Sequence, residues 1–257
     1  MKPGVILFVL LGLGSVASAD QVFEFESYTI PGGDRIVLPA VAGESLSGVA
    51  ATIDQRANGA LSAAATEAEF SGEAGQTLTL YGISPWARID IIGIGSEAVD
   101  RAAAENFGGS AAKLLGDTQG GVVQILWPDS IANADATAAR VAFGYQLRSY
   151  RFDRHQADEI DRDSLPVVRL LSSDNSAGQF DDDLAYLADG VYLARDMSSE
   201  PANIVWPEVF VDRAREEFRG LDNVRIRVLD EDDLQRLGMG AHWGVGKGSS
   251  RPPRLLI

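Results

Sequence analysis

The sequence predicts an α/β protein: an N-terminal α/β domain on a largely parallel sheet, a connecting helix, and an incomplete second α/β domain. Three observations predict it. Runs of β-branched and apolar residues at 88–92, 121–127 and 167–171 read as buried strands. Helical stretches lie between them, and strands alternating with helices need crossover connections and hence parallel pairing. A polar segment at 172–179 then interrupts the pattern, which restarts with a long helix.

In chain order, residues 22–28 alternate apolar and polar side chains. Pro31-Gly32-Gly33-Asp34 breaks the chain before the apolar run 35–38, predicting two short strands around a turn. Residues 52–68 are rich in alanine, with Leu61 and other small residues at helical spacings. Gly72 and Gly75 then precede 76–81, so the reading is helix, loop, strand. After strand 88–92, Gly93-Ile94-Gly95 turns the chain into a helix over 97–115 that stops at Gly116. Strand 121–127 is closed by Pro128, residues 135–147 are helical, and 167–171 is the next strand.

Asp181-Asp182-Asp183 opens a helix running to Met197, and carboxylates at that end offset the positive pole of the helix. The spaced aspartates and the glycine of a calcium loop are missing there. Pro207 opens a helix over 208–218, 224–229 is a strand, and 231–237 is a short helix ended by Gly238. A glycine-rich loop, 244–248, leads to a last strand at 254–257. The predicted domains are 20–172 and 180–257. A strand ending on Ile257 leads us to expect that the second domain is incomplete.

Composition narrows the function. The 257 residues carry a formal charge of −15, a field that repels phosphate backbones and anionic membranes, so neither nucleic acid nor a membrane surface is an expected partner. There is no cysteine, which removes disulfides, thiolate zinc sites and a thiol nucleophile together. Lys2, the apolar run 5–13 and Ala17-Ser18-Ala19 read as a signal peptide over 1–19, too short to span a bilayer. The expected location is therefore outside the cytoplasm, periplasmic or secreted.

Local motifs carry little chemistry. Gly93 and Gly95, ahead of Ser96-Glu97-Ala98, stand between a strand and a helix, as a dinucleotide-binding turn requires. Glu97 would set a carboxylate beside the phosphates, and glycine is the ordinary residue for any such turn. They are weak cofactor-binding candidates. Ala241 to Gly248 resembles a phosphate-binding loop, but Gly248 replaces the magnesium-binding hydroxyl residue and no strand precedes it. Gly108-Gly109-Ser110 lacks the last glycine of a nucleophile elbow. His155 and His242 are the only histidines, with no paired-imidazole spacing. These residues alone assemble no catalytic or metal site.

Residues 194–257 add a family resemblance. Ala194-Arg-Asp-Met-Ser-Ser-Glu200-Pro201-Ala202-Asn203, Pro207-Glu208, Val228-Leu-Asp230, Leu237-Gly-Met-Gly240, Gly246-Lys-Gly-Ser249 and Arg251-Pro-Pro253-Arg-Leu-Leu-Ile257 resemble the opening of the catalytic domain of leucyl (cytosol) aminopeptidases. Upstream, 89–95 and the helix containing Gly108-Gly109 resemble that family's N-terminal domain. The resemblance implies removal of N-terminal amino acids from peptides with two divalent ions, zinc or manganese, in a homo-oligomer, usually a hexamer. It places the ligand set downstream of Pro252-Pro253. Lys247 matches an earlier, non-ligand segment, since Ser249-Ser250-Arg251 follows it. The expectation is thus an aminopeptidase-type chain that holds no metal pair and is not catalytic alone. The alternative is an exported binding or assembly module built on the N-terminal domain. Trp206 stands where the family commonly has a helix-capping threonine, so a lost cap is expected.

Overall fold

The computed structural model describes residues 23–257 apart from 28, 33, 44–45, 47, 96–98, 129–130, 132–133, 156–160, 162–163 and 173–175. The predicted signal peptide lies outside them. Two compact units divide the described chain, one through Tyr192 and one spanning Leu193–Ile257.

In the first unit the apolar runs become a sheet of six strands: β1 (Phe23–Ser27), β2 (Arg35–Val41), β3 (Thr77–Ile83), β4 (Trp86–Gly95), β5 (Val122–Leu126) and β6 (Val167–Ser172). Their order is β1-β6-β5-β2-β4-β3, all parallel except β3, which runs antiparallel to β4. β1 and β2, read as neighbours around a turn, do not pair with each other. β1 lies at the edge on β6, and β2 lies in the centre between β4 and β5.

The sheet is buried on two faces because its strands alternate apolar side chains between them. Val37, Ile92, Val123, Ile125, Val168 and Leu170 pack toward α3 (Arg101–Leu115), α4 (Ala134–Ser149) and the helical run over 176–192. Ile36, Leu38, Ile89, Ile91, Leu126 and Leu171 point the other way, where α1 (Gly48–Arg56), α2 (Ala60–Glu67) and the turn between them bring Ile53, Leu61 and Ala57 against them.

The helix predicted over 52–68 is two helices. Asn58 and Gly59 take positive φ, 52° and 80°, which ends α1. Gly59 has no side chain to cap α2, and Asp54 supplies the cap from the preceding helix, accepting from the amides of Leu61 at 2.8 Å and Ser62 at 3.1 Å. α3 begins at Arg101, with Asp100 accepting from the Ala103 amide at 2.8 Å, rather than at residue 97.

α3 crosses α4 through glycine. A Cβ on Gly108 would lie 2.0 Å from the Val141 oxygen, and one on Gly144 would lie 2.0 Å from the Glu105 oxygen. The two backbones meet where neither helix has a side chain, and Arg140 reaches Glu105 beside the crossing at 2.9 Å.

The connecting helix starts earlier than predicted. α5 (Ser176–Gln179), a π-helical turn (Phe180–Leu184) and α6 (Ala185–Ser199) follow one another, so the three aspartates sit inside the helical run and not at its N-terminus. Phe180, Leu184, Ala188 and Tyr192, all buried, repeat every four residues. On an α-helix that spacing drifts by about 40° per repeat, and one wider turn takes up part of the drift.

The second unit holds the end of α6, then α7 (Pro207–Glu217), β7 (Val228–Leu229), α8 (Glu231–Arg236), α9 (Gly240–Gly246) and β8 (Leu255–Leu256). β7 pairs antiparallel with β8, and Arg227 and Ile257 extend the pairing by exchanging backbone hydrogen bonds at 2.8 Å. The strand predicted over 224–229 is therefore confined to its end. The segment predicted as a glycine-rich loop, 244–248, is the end of helix α9 through Gly246 and then a turn. Gly246 is needed there because a Cβ would lie 2.7 Å from the Pro253 ring.

Candidate functional site

Gly93 and Gly95 end β4 and form no exposed turn. The Gly93 amide donates to the Gln76 oxygen at 2.8 Å and its carbonyl accepts from Gly75 at 3.1 Å. The Gly95 amide donates to Gly72 at 3.1 Å and its carbonyl accepts from Ala42 at 2.6 Å. A Cβ on Gly93 would lie 2.2 Å from the Glu73 oxygen. These glycines admit the loop 71–75 against the sheet, and neither amide is left for a phosphate. Ser96-Glu97-Ala98 lies outside the described residues.

The other residues singled out from the sequence are dispersed. Ser110 lies within α3, and His155 is exposed with its ring edge-on to Phe152 at 5.7 Å. His242 is exposed, its Nε2 3.3 Å from the Arg254 oxygen. Lys247 follows α9 with its ammonium 5.2 Å from the centre of the Trp243 ring. Burial first, and then Asp182, hold the Asp181 carboxyl above the ordinary aspartate range.

The charged group that sequence reading passed over is Arg88 with Asp90. In register these two alternate with isoleucine, so they share one face of β4. Asp90 is 1% exposed; its Oδ2 lies 2.8 Å from Arg88 Nε, and its Oδ1 accepts from Arg88 Nη2 at 3.1 Å and from the Thr79 hydroxyl. Arg88 Nη2 also donates to the Leu114 oxygen at 3.0 Å, where α3 ends. The Oδ2–Nε contact is an ion pair without a hydrogen bond, and the pair ties sheet to helix through Arg88, a structural anchor rather than a free reactive carboxylate.

In the second unit the family-like segment is organised by charge and aromatic contacts. The Glu200 side chain, 2% exposed, faces Arg213 Nη2 at 3.4 Å. Pro201 receives the amides of Ile204 and Val205 on its carbonyl. Trp206 occupies the N-cap of α7 without a side-chain cap, as its residue type dictates. The Arg251 guanidinium stacks 4.3 Å over the Trp206 ring and donates to the Ala202 oxygen. That contact anchors the Pro252-Pro253 segment ahead of β8.

No three of the described His, Asp and Glu side chains gather as a metal centre would require. Among the most enclosed carboxylates, Asp90 is committed to Arg88, Glu200 to Arg213 and Glu24 to Arg169, and Asp153 and Asp196 also have partners, while Asp54, Asp100 and Asp230 cap helices. The described residues do not fit a two-metal site. No helix among them is long and apolar enough to cross a membrane.

The fold defines a class: a mostly parallel α/β sheet unit joined by a long helix to a second α/β unit. A tomato leucine aminopeptidase mutant shares that fold at TM-score 0.77 and 23% identity, over 95% of this chain and 51% of that one. The bottromycin maturation enzyme BotP in complex with Mn shares it at 0.62 and 20%, over 87% and 44%. The model of the cytosol aminopeptidase family N-terminal domain matches residues 37–159, and that of its catalytic domain matches 192–257. This chain belongs to the cytosol aminopeptidase family. The probable cytosol aminopeptidase of Caulobacter vibrioides is 36% identical over 246 residues, covering 91% of this chain and 48% of that protein. That of Methylobacterium radiotolerans is 35% identical over 235 residues, covering 88% and 44%. The chain spans about half the length of the curated relatives it matches.

Proposed function

We propose that the protein is an aminopeptidase, removing N-terminal residues from peptides with a pair of divalent ions, zinc or manganese, within a homo-oligomer. The observation that carries this reading is the match of both family domains in order along one chain. Manganese in one structural neighbour supports the metal class. Residues 37–159 match the N-terminal domain and 192–257 the catalytic one, and no three His, Asp or Glu side chains gather among the described residues. This chain alone is accordingly proposed to be non-catalytic. Lys2, the apolar run 5–13 and Ala17-Ser18-Ala19 support export as a further part of the proposal.

The test is leucine release from a leucyl anilide by two samples, this 257-residue chain and the endogenous protein purified from its source, each with and without chelator. Activity only in the endogenous protein, abolished by chelator, is expected. Chelator-sensitive activity in this chain overturns the non-catalytic reading, and none in the endogenous protein overturns the aminopeptidase reading.

A further inference from the structure

The sheet of the first unit has two edges, and they differ in chemistry. β1 carries Glu24 and Glu26 within five residues, and charge on an edge strand discourages pairing with another chain. β3, at the other edge, reads Thr-Leu-Thr-Leu-Tyr-Gly-Ile and carries no charge and no proline.

The hydrogen bonding of β3 follows from one contact. The Gly93 amide donates to the Gln76 oxygen, and these two stand opposite each other at the end of the β3–β4 register. Antiparallel ladders alternate, so Leu78 and Leu80 aim their backbone groups at β4 while Thr77, Thr79 and Tyr81 aim theirs out of the sheet. Among the described residues nothing pairs with those outward groups.

We propose that β3 is a self-pairing edge, at which a second copy of this chain adds its own β3 antiparallel across a twofold axis at Thr79. That register sets Thr77 opposite Tyr81 and Thr79 opposite Thr79. The three outward N–H groups of each copy then meet the three outward carbonyls of the other, leaving none unpaired between 77 and 81. Leu78 falls opposite Leu80 at the closely spaced positions of the ladder. Both leucines are half-buried and already pack on the α1–α2 side of the sheet, so the pairing continues that apolar layer across the axis. Threonines and tyrosines occupy the other face. A second copy fits this edge because one axis satisfies the hydrogen bonds and the leucine layer together, as an isologous contact requires. The proposal gives the homo-oligomer of the preceding reading a specific contact, and it rests on that reading only for self-association.

Each copy carries a formal charge of −15, so the copies repel and added salt should tighten the contact. The experiment is sedimentation of this full chain at about 1–100 µM, in low and high salt, with Thr77→Pro and Tyr81→Lys. Thr77→Pro deletes an outward N–H at the first residue of the strand and spares the β4 ladder. The expected result is a dimer tightened by salt, weakened about tenfold or more in each variant. Hydrogen exchange should show concentration-dependent protection at Thr77, Thr79 and Tyr81. Circular dichroism confirms that each variant is folded, and Tyr81→Lys carries the test should Thr77→Pro not fold. A wild-type chain monomeric in all salts overturns both this edge and the homo-oligomer reading for this chain. A dimer unaffected by the folded variants overturns the edge alone.

Discussion

Gly144→Ala is the most direct probe of how the first unit is held together. The new methyl would lie 2.0 Å from the Glu105 carbonyl oxygen, and real Cβ contacts essentially never fall below 3.0 Å. The obstacle is helical backbone and cannot rotate away, so α3 and α4 must part by about 1 Å at their crossing. Overpacking of this kind costs about 1–3 kcal/mol. A gap of that size also forfeits roughly a quarter to a half of each dispersion contact along the seam. Against this, alanine gains about 1 kcal/mol over glycine in a helix interior. The net expectation is a loss of about 2 kcal/mol, or about 4–8 °C in Tm for a unit of this size. The assay is thermal unfolding followed by circular dichroism, with Gly190→Ala as control. Gly190 also lies within a helix, but nothing stands within 4 Å of its Cβ position, so that change should leave Tm equal or higher. Gly108→Ala together with Gly144→Ala should cost less than the two separately, because one widening admits both methyls. A Gly144→Ala chain as stable as the parent would refute the crossing argument.

Other consequences follow from charge. Arg88→Met strands the Asp90 carboxylate among apolar neighbours and should cost about 3–5 kcal/mol in urea unfolding, most of it recovered when Asp90→Leu is added; a loss below about 1 kcal/mol would refute an anchoring role. Burial, and then the neighbouring Asp182, raise the folded-state pKa of half-buried Asp181 above its ordinary 3.8. The native state then binds more protons than the unfolded chain between 3.8 and the raised value, so stability falls as pH rises through that window and the full penalty persists at neutral pH. Asp181→Asn should raise Tm at pH 7 and lose its advantage below pH 3.8, measured by calorimetry at both; an equal effect at the two pH values would refute the burial argument.

Much of this protein follows from local chemistry in the chain. β-branched runs such as 88–92 and 167–171 suit strands buried on both faces, as in a mostly parallel sheet covered by helices, and parallel strands need helical crossovers, so the α/β class is legible in composition and order. The family is likewise legible, because its signature over 194–257 is a series of residue types at fixed spacings. The break at Asn58-Gly59 and the cap at Asp100 escape the reading of helices over 52–68 and 97–115, because that reading follows helical periodicity where a turn dipeptide and a capping residue outweigh it.

The tertiary structure decided what depends on residues distant in the chain. Strand order is one instance, since β1 gains its partner from 167–172, and spacing cannot say that β1 and β2 lie apart. The glycines are another. Gly93 and Gly95 match a phosphate-binding turn when read locally, but they serve the approach of the loop 71–75, and Gly246 serves Pro253. A glycine's sequence context shows only that a side chain is absent; which backbone or ring fills the space is set by packing. Asp90 shows the same division. Its alternation with isoleucine places it beside Arg88 on a β4 face, and only the tertiary structure brings the Thr79 hydroxyl of β3 to its carboxylate and the Leu114 carbonyl at the end of α3 to hold Arg88 in place.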